Sequence, residues 1–214
     1  MKPVPSWPSL PPGGVPIVQP RRRAPSQIAL WGLMGVIGML FSLMLVAYVM
    51  RMSQGDWRPL PPVNALWVNT GVLAAACIVM QSSASQARHG ELRRSRRSRR
   101  DWALAGVLAI AFVAGQLWVW RDLTVRQFGV AGNPANSFFF LLTGLHALHL
   151  LGGLAAWACL LPHRLAHATR ARRLSLTAQY WHFLFVLWVV LFAAVVNLTP
   201  EIAQRLCGTG GASP

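Results

Sequence analysis

Residues 136–153 read NSFFFLLTGLHALHLLGG, eighteen residues without a charged side chain, inside a stretch free of Asp, Glu, Lys and Arg that runs from Gln127 to His163. A helix rises about 1.5 Å per residue and needs roughly 20 residues to cross a hydrocarbon core about 30 Å thick, so this stretch is long enough to span a bilayer. It also carries His146 and His149 near its middle. Ionisable side chains are expensive in hydrocarbon; they face a bundle interior, a cavity or a partner, and they mark function or specific packing. Three residues apart on a helix, the two rings share one face.

The rest of the chain repeats the pattern. With 54% hydrophobic and 12% charged residues in 214, there is too little polar material to coat a soluble globule. The other stretches free of Asp, Glu, Lys and Arg are residues 24–50, 59–87, 102–120 and 174–200. The expected fold class is therefore all-α, an integral membrane bundle of five transmembrane helices at Gln27–Met50, Asn64–Ser85, Trp102–Trp120, Asn136–Leu161 and Leu176–Leu198. These spans define a membrane domain over residues 27–200. Residues 1–26, with prolines from Pro3 to Pro25, are expected to form a disordered cytoplasmic tail, and residues 201–214 an exterior one. The first span follows Arg21, Arg22 and Arg23 but is too long for a secretory signal, and no small-residue cleavage pattern follows it.

The net charge of +15 is unevenly distributed. Fifteen of the twenty Lys and Arg residues fall before the first span, between the second and third, or between the fourth and fifth; only Arg51, Arg58, Arg121, Arg126 and Arg205 fall on the other side. The positive-inside rule then places the N-terminus in the cytoplasm and the C-terminus outside, as an odd number of spans requires. The densest run, RRSRRSRR at residues 93–100, supplies Arg93, Arg94, Arg96, Arg97, Arg99 and Arg100. Such a segment beside a membrane is expected to orient the protein and contact anionic lipid, with a protein-docking site as the alternative. It has neither the interleaved aromatics nor the module of a nucleic-acid binder. Trp31, Trp67, Trp102, Trp157 and Trp181 lie near span ends, where indole rings favour the headgroup boundary. Cys77, Cys159 and Cys207 form no disulfide framework and read as packing residues.

None of the five acidic residues lies inside a span, so no buried carboxylate relay runs through this chain alone. The polar interior reduces to His146, His149, His182, Gln116, Asn69 and Gln81, fewer ionisable groups than a pump or cation transporter needs along its path. Counted from the span ends, His149 and His182 differ in depth by roughly 7 Å and His146 lies about 12 Å from His182. Haem or metal ligation built on His149 and His182 would need a matched depth, so interhelical hydrogen bonding is the expected role. Gly144, Gly152 and Gly153 fit that role, since small residues let helices approach closely.

These same residues carry a family resemblance. SFFFLLTGLHALHLLGGLAAW resembles the most recognisable helix of heme-copper oxidase subunit III, and AQYWHFLFVLWVVLF, residues 178–192, resembles that family's last helix. GQLWVWRDL, residues 115–123, and WGLMGVIGMLFSLMLVAY, residues 31–48, are similar to two earlier helices, so the resemblance runs in order from about Trp31 to Leu198. It implies the five-helix form of the family, with His146, His149, Trp181, His182, Trp188, Gln116, Gly144 and Gly153 as signature and interior-packing residues. The chain departs from the family where acidic residues usually sit within the membrane: Ile37, Val119 and Phe185 stand at those positions.

The resemblance implies a subunit with no catalytic site and no cofactor or metal site of its own, part of a proton-translocating cytochrome c oxidase in aerobic electron transport. It would sit in a bacterial inner membrane, stabilise the catalytic subunit I and hold phospholipid. Haem and copper are expected in the partner subunits, with subunit II as a further neighbour. A role in proton entry is not expected without the three carboxylates. Two alternatives stand beside it: an accessory protein of a quinol oxidase or nitric oxide reductase, and a small transporter or haem-carrying protein built on His149 and His182.

Overall fold

The computed structural model describes residues 25–52, 57, 61, 64–88, 92–129, 133–160, 167–200 and 202–203. It contains five α-helices, α1 (Pro25–Met52), α2 (Ala65–Arg88), α3 (Leu92–Val125), α4 (Pro134–Ala158) and α5 (His167–Asn197), and no strand among the described residues. Each helix is long and apolar enough to cross a membrane. In hydrocarbon this is the economical solution, because a helix satisfies its backbone groups internally.

The helix ends differ from the sequence expectation, and each difference has a local cause. α1 begins at Pro25 rather than Gln27. Proline is well placed in a first turn, where its fixed φ suits the helix and the missing N–H has no partner to lose. α4 begins at Pro134, two residues earlier than expected, because Asn133 caps it: its Oδ1 accepts the Ala135 N–H at 3.3 Å. It ends at Ala158, short of Leu161. The largest difference is in α3, whose 34 residues start at Leu92 and reach Val125, so the arginine run is helical rather than a loop. Charge limits burial in lipid but does not oppose the helix, since arginine is a good helix former. Arg172 and Arg173 likewise ride on α5, and Arg51 on the last turn of α1.

α3 stops through backbone geometry. The Phe128 N–H donates to the Leu123 carbonyl at 2.9 Å and the Gln127 N–H to the Thr124 carbonyl at 3.1 Å, with Gln127 at φ 69°. This is a Schellman motif with glutamine in the left-handed position that usually holds glycine. Asn136 Nδ2 then donates to the Gly129 carbonyl at 3.2 Å, tying α4 to the incoming turn.

Two cores result. The first joins α2, α3, α4 and α5 through Leu73, Met80, Trp102, Phe112, Phe139, Leu150, Trp181 and Trp188. The second seats α1 on α4 and α5 through Ile37, Phe41, Tyr48, Met52, Leu142, Leu187 and Leu191. α1 is peripheral: 17% of its apolar window is buried, against 33–39% for the other four. Beyond α5, the Ala203 N–H donates to the Thr199 carbonyl at 3.0 Å, and Ala203 is buried in the second core. Residues 1–24, the side chains of Arg93 and Arg94, and everything after Ala203 lie outside the described residues.

Candidate functional site: a polar layer inside the bundle

The interior of the first core is joined by amide, indole and hydroxyl groups. Asn69 on α2 donates through Nδ2 to the Phe112 carbonyl at 3.1 Å and to Gln116 Oε1 at 3.3 Å, both on α3. Gly115 makes this approach possible, because a Cβ there would collide with Asn69 Oδ1. Two indole–hydroxyl pairs follow one pattern. Trp188 Nε1 on α5 donates to Thr70 Oγ1 at 2.9 Å, and the Thr70 O–H donates in turn to the Leu66 carbonyl at 2.8 Å. Trp120 Nε1 on α3 donates to Thr143 Oγ1 at 3.1 Å, and Thr143 donates to the Phe139 carbonyl at 2.6 Å. Each threonine hydroxyl is thereby used as donor within its helix and as acceptor across helices.

The histidines sit differently from the sequence expectation. His146 is fully buried, and its ring lies between Phe112 and Trp188, with centroids 6.3 Å and 5.2 Å away; neither ring nitrogen has a hydrogen-bond partner among the described residues. His149 Nδ1 lies 2.8 Å from the Leu145 carbonyl, and His182 Nδ1 lies 2.6 Å from the Ala178 carbonyl. A carbonyl can only accept, so in both rings Nδ1 carries the proton. These bonds stay within one helix, which corrects the expectation that the histidine rings stitch helices together. The link at this level is backbone-directed: Tyr180 on α5 donates its hydroxyl to the His149 carbonyl at 3.2 Å. The His149 ring instead meets the edge of Phe41 on α1 at 5.7 Å. Among the described residues, no group of three or more His, Cys, Asp and Glu side chains is placed to hold a metal ion.

Other expected residues separate into two sets. Gln116, Trp181 and Trp188 are 0–2% exposed, Gly153 is buried, and a Cβ on Gly153 would come within 3.3 Å of Tyr180. Gly144 faces Trp120 at an ordinary 3.5 Å, whereas nothing lies within 4 Å of a Cβ on Gly152, so Gly152 is not a point of close helix approach. Gln81 is exposed on the outer face of α2. Ile37 and Val119 are buried in the second and first cores, and Phe185 packs against the first. All three are thus packing residues.

Tryptophan placement also needs correction. Trp31 and Trp67 face outward at 54% and 63% exposure, but Trp102 and Trp181 are core residues at 1% and 0%. Trp102 and Trp157 exchange bonds, Trp157 Nε1 donating to the Trp102 carbonyl at 2.8 Å and Trp102 Nε1 to the Trp157 carbonyl at 3.4 Å. Gly106 leaves room for the Trp157 ring, which any Cβ there would strike. A buried indole N–H usually finds an acceptor, as Trp102 Nε1 does at the Trp157 carbonyl, whereas Trp181 Nε1 has none among the described residues and the ring is held by packing. The tryptophans' positions near span ends gave no means of telling these two fates apart.

A cleft of about 430 Å³ opens between α1, α4 and α5, walled by Leu30, Leu33, Gly152, Ala156, Thr177 and Tyr180. Ser26 lies in its wall, and Arg172 donates to Ser26 Oγ at 2.8 Å. The absent side chain of Gly152 contributes to the width of this cleft.

Four membrane-length helices around a closed, hydrogen-bonded interior, with a fifth seated outside them beside an apolar cleft, define among the described residues an integral membrane protein of the helical-bundle class. Residues 36–198 match the family model described as cytochrome c oxidase subunit III, and the chain belongs to that family. It is similar to the probable cytochrome c oxidase subunit 3 of Nocardia farcinica, with 30% identity over 166 residues covering 73% of this chain and 80% of that protein. The probable cytochrome c oxidase subunit 3 of Mycobacterium tuberculosis is 28% identical over 165 residues, with the same coverage. The cytochrome c oxidase subunit 3 of a Synechocystis strain is 29% identical over 138 residues, covering 61% of this chain and 55% of that one.

Proposed function

We propose that this chain is the non-catalytic subunit III of a respiratory cytochrome c oxidase in a bacterial inner membrane. In this reading it docks beside the catalytic subunit I, with subunit II as a further neighbour, and its arginine-rich end faces the cytoplasm. Haem and copper reside in the partners. The observation that carries the reading is the family match over residues 36–198, joined to an interior filled with packing and hydrogen-bonding groups. Ile37 and Val119 are buried and Phe185 packs against the first core, which supports a role in stability rather than in proton entry.

The cleft between α1, α4 and α5 suits a phospholipid acyl chain, with the Arg172 guanidinium beside its mouth for the phosphate. Deleting the chain is expected to leave the haem spectra of the purified oxidase intact and to reduce the number of turnovers completed before inactivation. Loss of haem absorbance on deletion, or a purified oxidase that never retains this chain, would remove the reading. Ala156→Trp fills the cleft and is expected to shorten the working life of an otherwise intact complex.

A further inference from the structure

We propose that the N-terminal extension of α3 is a binding surface for the headgroups of anionic phospholipids. This goes beyond membership of the oxidase and does not depend on which partner the chain joins. At about 1.5 Å per residue α3 is about 51 Å long, well over a hydrocarbon core of about 30 Å. Its apolar part begins at Trp102, so the turns carrying the arginines lie at the depth of the lipid headgroups.

A clamp with α2 fixes the direction these arginines face. Ser83 Oγ donates to the Ser98 carbonyl at 2.7 Å, and Ser98 Oγ donates to the Ser83 carbonyl at 3.0 Å, with Ser98 6% exposed. At about 100° per residue, Arg96, Arg97, Arg99 and Arg100 then fill an arc of about 160° centred opposite Ser98. All four are exposed, and no ion pair is formed by them among the described residues. The adjacent acid, Asp101, points to α2, where its Oδ2 accepts Gln86 Nε2 at 2.7 Å and Ser82 Oγ at 3.4 Å. The opposite end of α3 behaves otherwise, since Arg126 pairs with Asp122 at 3.0 Å.

Four like charges crowded onto one outward arc, with no ion pair among the described residues, repel one another. External anions offset that repulsion. Arg173, exposed near the start of α5, extends the positive surface at the same end of the bundle, where α3 and α4 are joined through Trp102 and Trp157. A membrane surface supplies phosphates in a plane at this depth and matches the outward arc, and each arginine near an anionic surface contributes about a fivefold preference.

The test uses the purified oxidase complex containing this chain, reconstituted with spin-labelled phosphatidylglycerol or phosphatidylcholine, with relative association constants read by electron spin resonance. The wild-type complex is expected to prefer phosphatidylglycerol at least fivefold, and the preference should collapse in 1 M salt, where the screening length is about 3 Å. The combined substitution R96Q/R97Q/R99Q/R100Q is expected to lower the preference at least fivefold while leaving phosphatidylcholine association unchanged. An equal preference in wild type and variant would overturn the proposal. So would a parallel loss of both lipids, which would trace the effect to bundle packing. If the variant leaves the complex, the wild-type salt titration decides, and a salt-insensitive preference overturns the proposal. Capture of a DNA oligonucleotide without any lipid preference would do the same. Ala156→Trp in the cleft is expected to leave the headgroup preference in place, which separates this surface from the proposed acyl-chain site.

Discussion

The α2–α5 core and the seat of α1 are built from the same kinds of apolar residue but held by different forces. In the core, side chains of Asn69, Trp120, Trp188, Trp102 and Trp157 carry hydrogen bonds from one helix to another. At the α1 interface the contacts are chiefly ring edges and aliphatic packing: Phe41 against His149, Tyr48 against Trp57 and Phe138 at 5.1 Å and 5.8 Å, and Ile37 in the same buried cluster. In lipid, apolar burial gives little drive for association, because the acyl chains are as apolar as leucine. Apart from the Arg172–Ser26 bond at its first turn, α1 is therefore held mainly by packing, less firmly than packing with interior hydrogen bonds holds the other four.

The contrast breaks most visibly at Trp188. Trp188→Ala is expected to destabilise the whole bundle by about 3–5 kcal/mol, since it empties a buried site, removes a face from the His146 ring and leaves Thr70 without its donor. Unfolding of the purified chain by denaturing detergent, followed by circular dichroism, measures this; Trp188→Phe should recover all but about 1 kcal/mol, the share of the hydrogen bond. A loss confined to one helix would mean that the core is not cooperative.

Ile37→Glu probes the other region. Placing a carboxyl group in the second core is expected to cost about 3 kcal/mol and to detach α1 without unfolding α2–α5. A cysteine introduced by Gly152→Cys, where a side chain meets nothing, reports on this through its rate of maleimide labelling, which should rise several-fold. Unchanged labelling would show that α1 is held as firmly as the rest. The smallest expected effect is that of Asn69→Ala, about 0.6 kcal/mol in the same detergent titration, typical of a single polar bond between membrane helices. A cost several times larger would make the Asn69–Gln116 pair the chief support of the α2–α3 contact.

The existence and order of the five helices were legible because lipid imposes a simple rule, that spans lack charge. Their ends were not, because the same rule stops at the first arginine while the helix runs on. Asn133 followed by Pro134 was a readable start signal for α4; Gln127 gave no comparable sign that α3 would end in a left-handed residue, a place where glycine is usual. Within the candidate site, His146 and Gln116 were identifiable as interior groups, since polar residues in a span rarely face lipid. The pairing of Trp188 with Thr70 and of Trp120 with Thr143 was out of reach, because it depends on how helices far apart in sequence rotate against each other. Gly106 and Gly115 were hidden for the same reason: a glycine in a span does not announce what fills its missing side chain.

The exchanged bonds between Trp102 and Trp157 have a mechanical consequence. Each indole holds the backbone of the other helix, and the Trp157 ring is keyed into the gap at Gly106. For α3 to slide one turn along α4, about 5.4 Å, both bonds would break and the ring would have to climb over the next side chain. A push delivered at the arginine-rich end is therefore not absorbed by slippage between these two helices. It moves them together, as a strut does, and any give in the protein is left to the outlying α1.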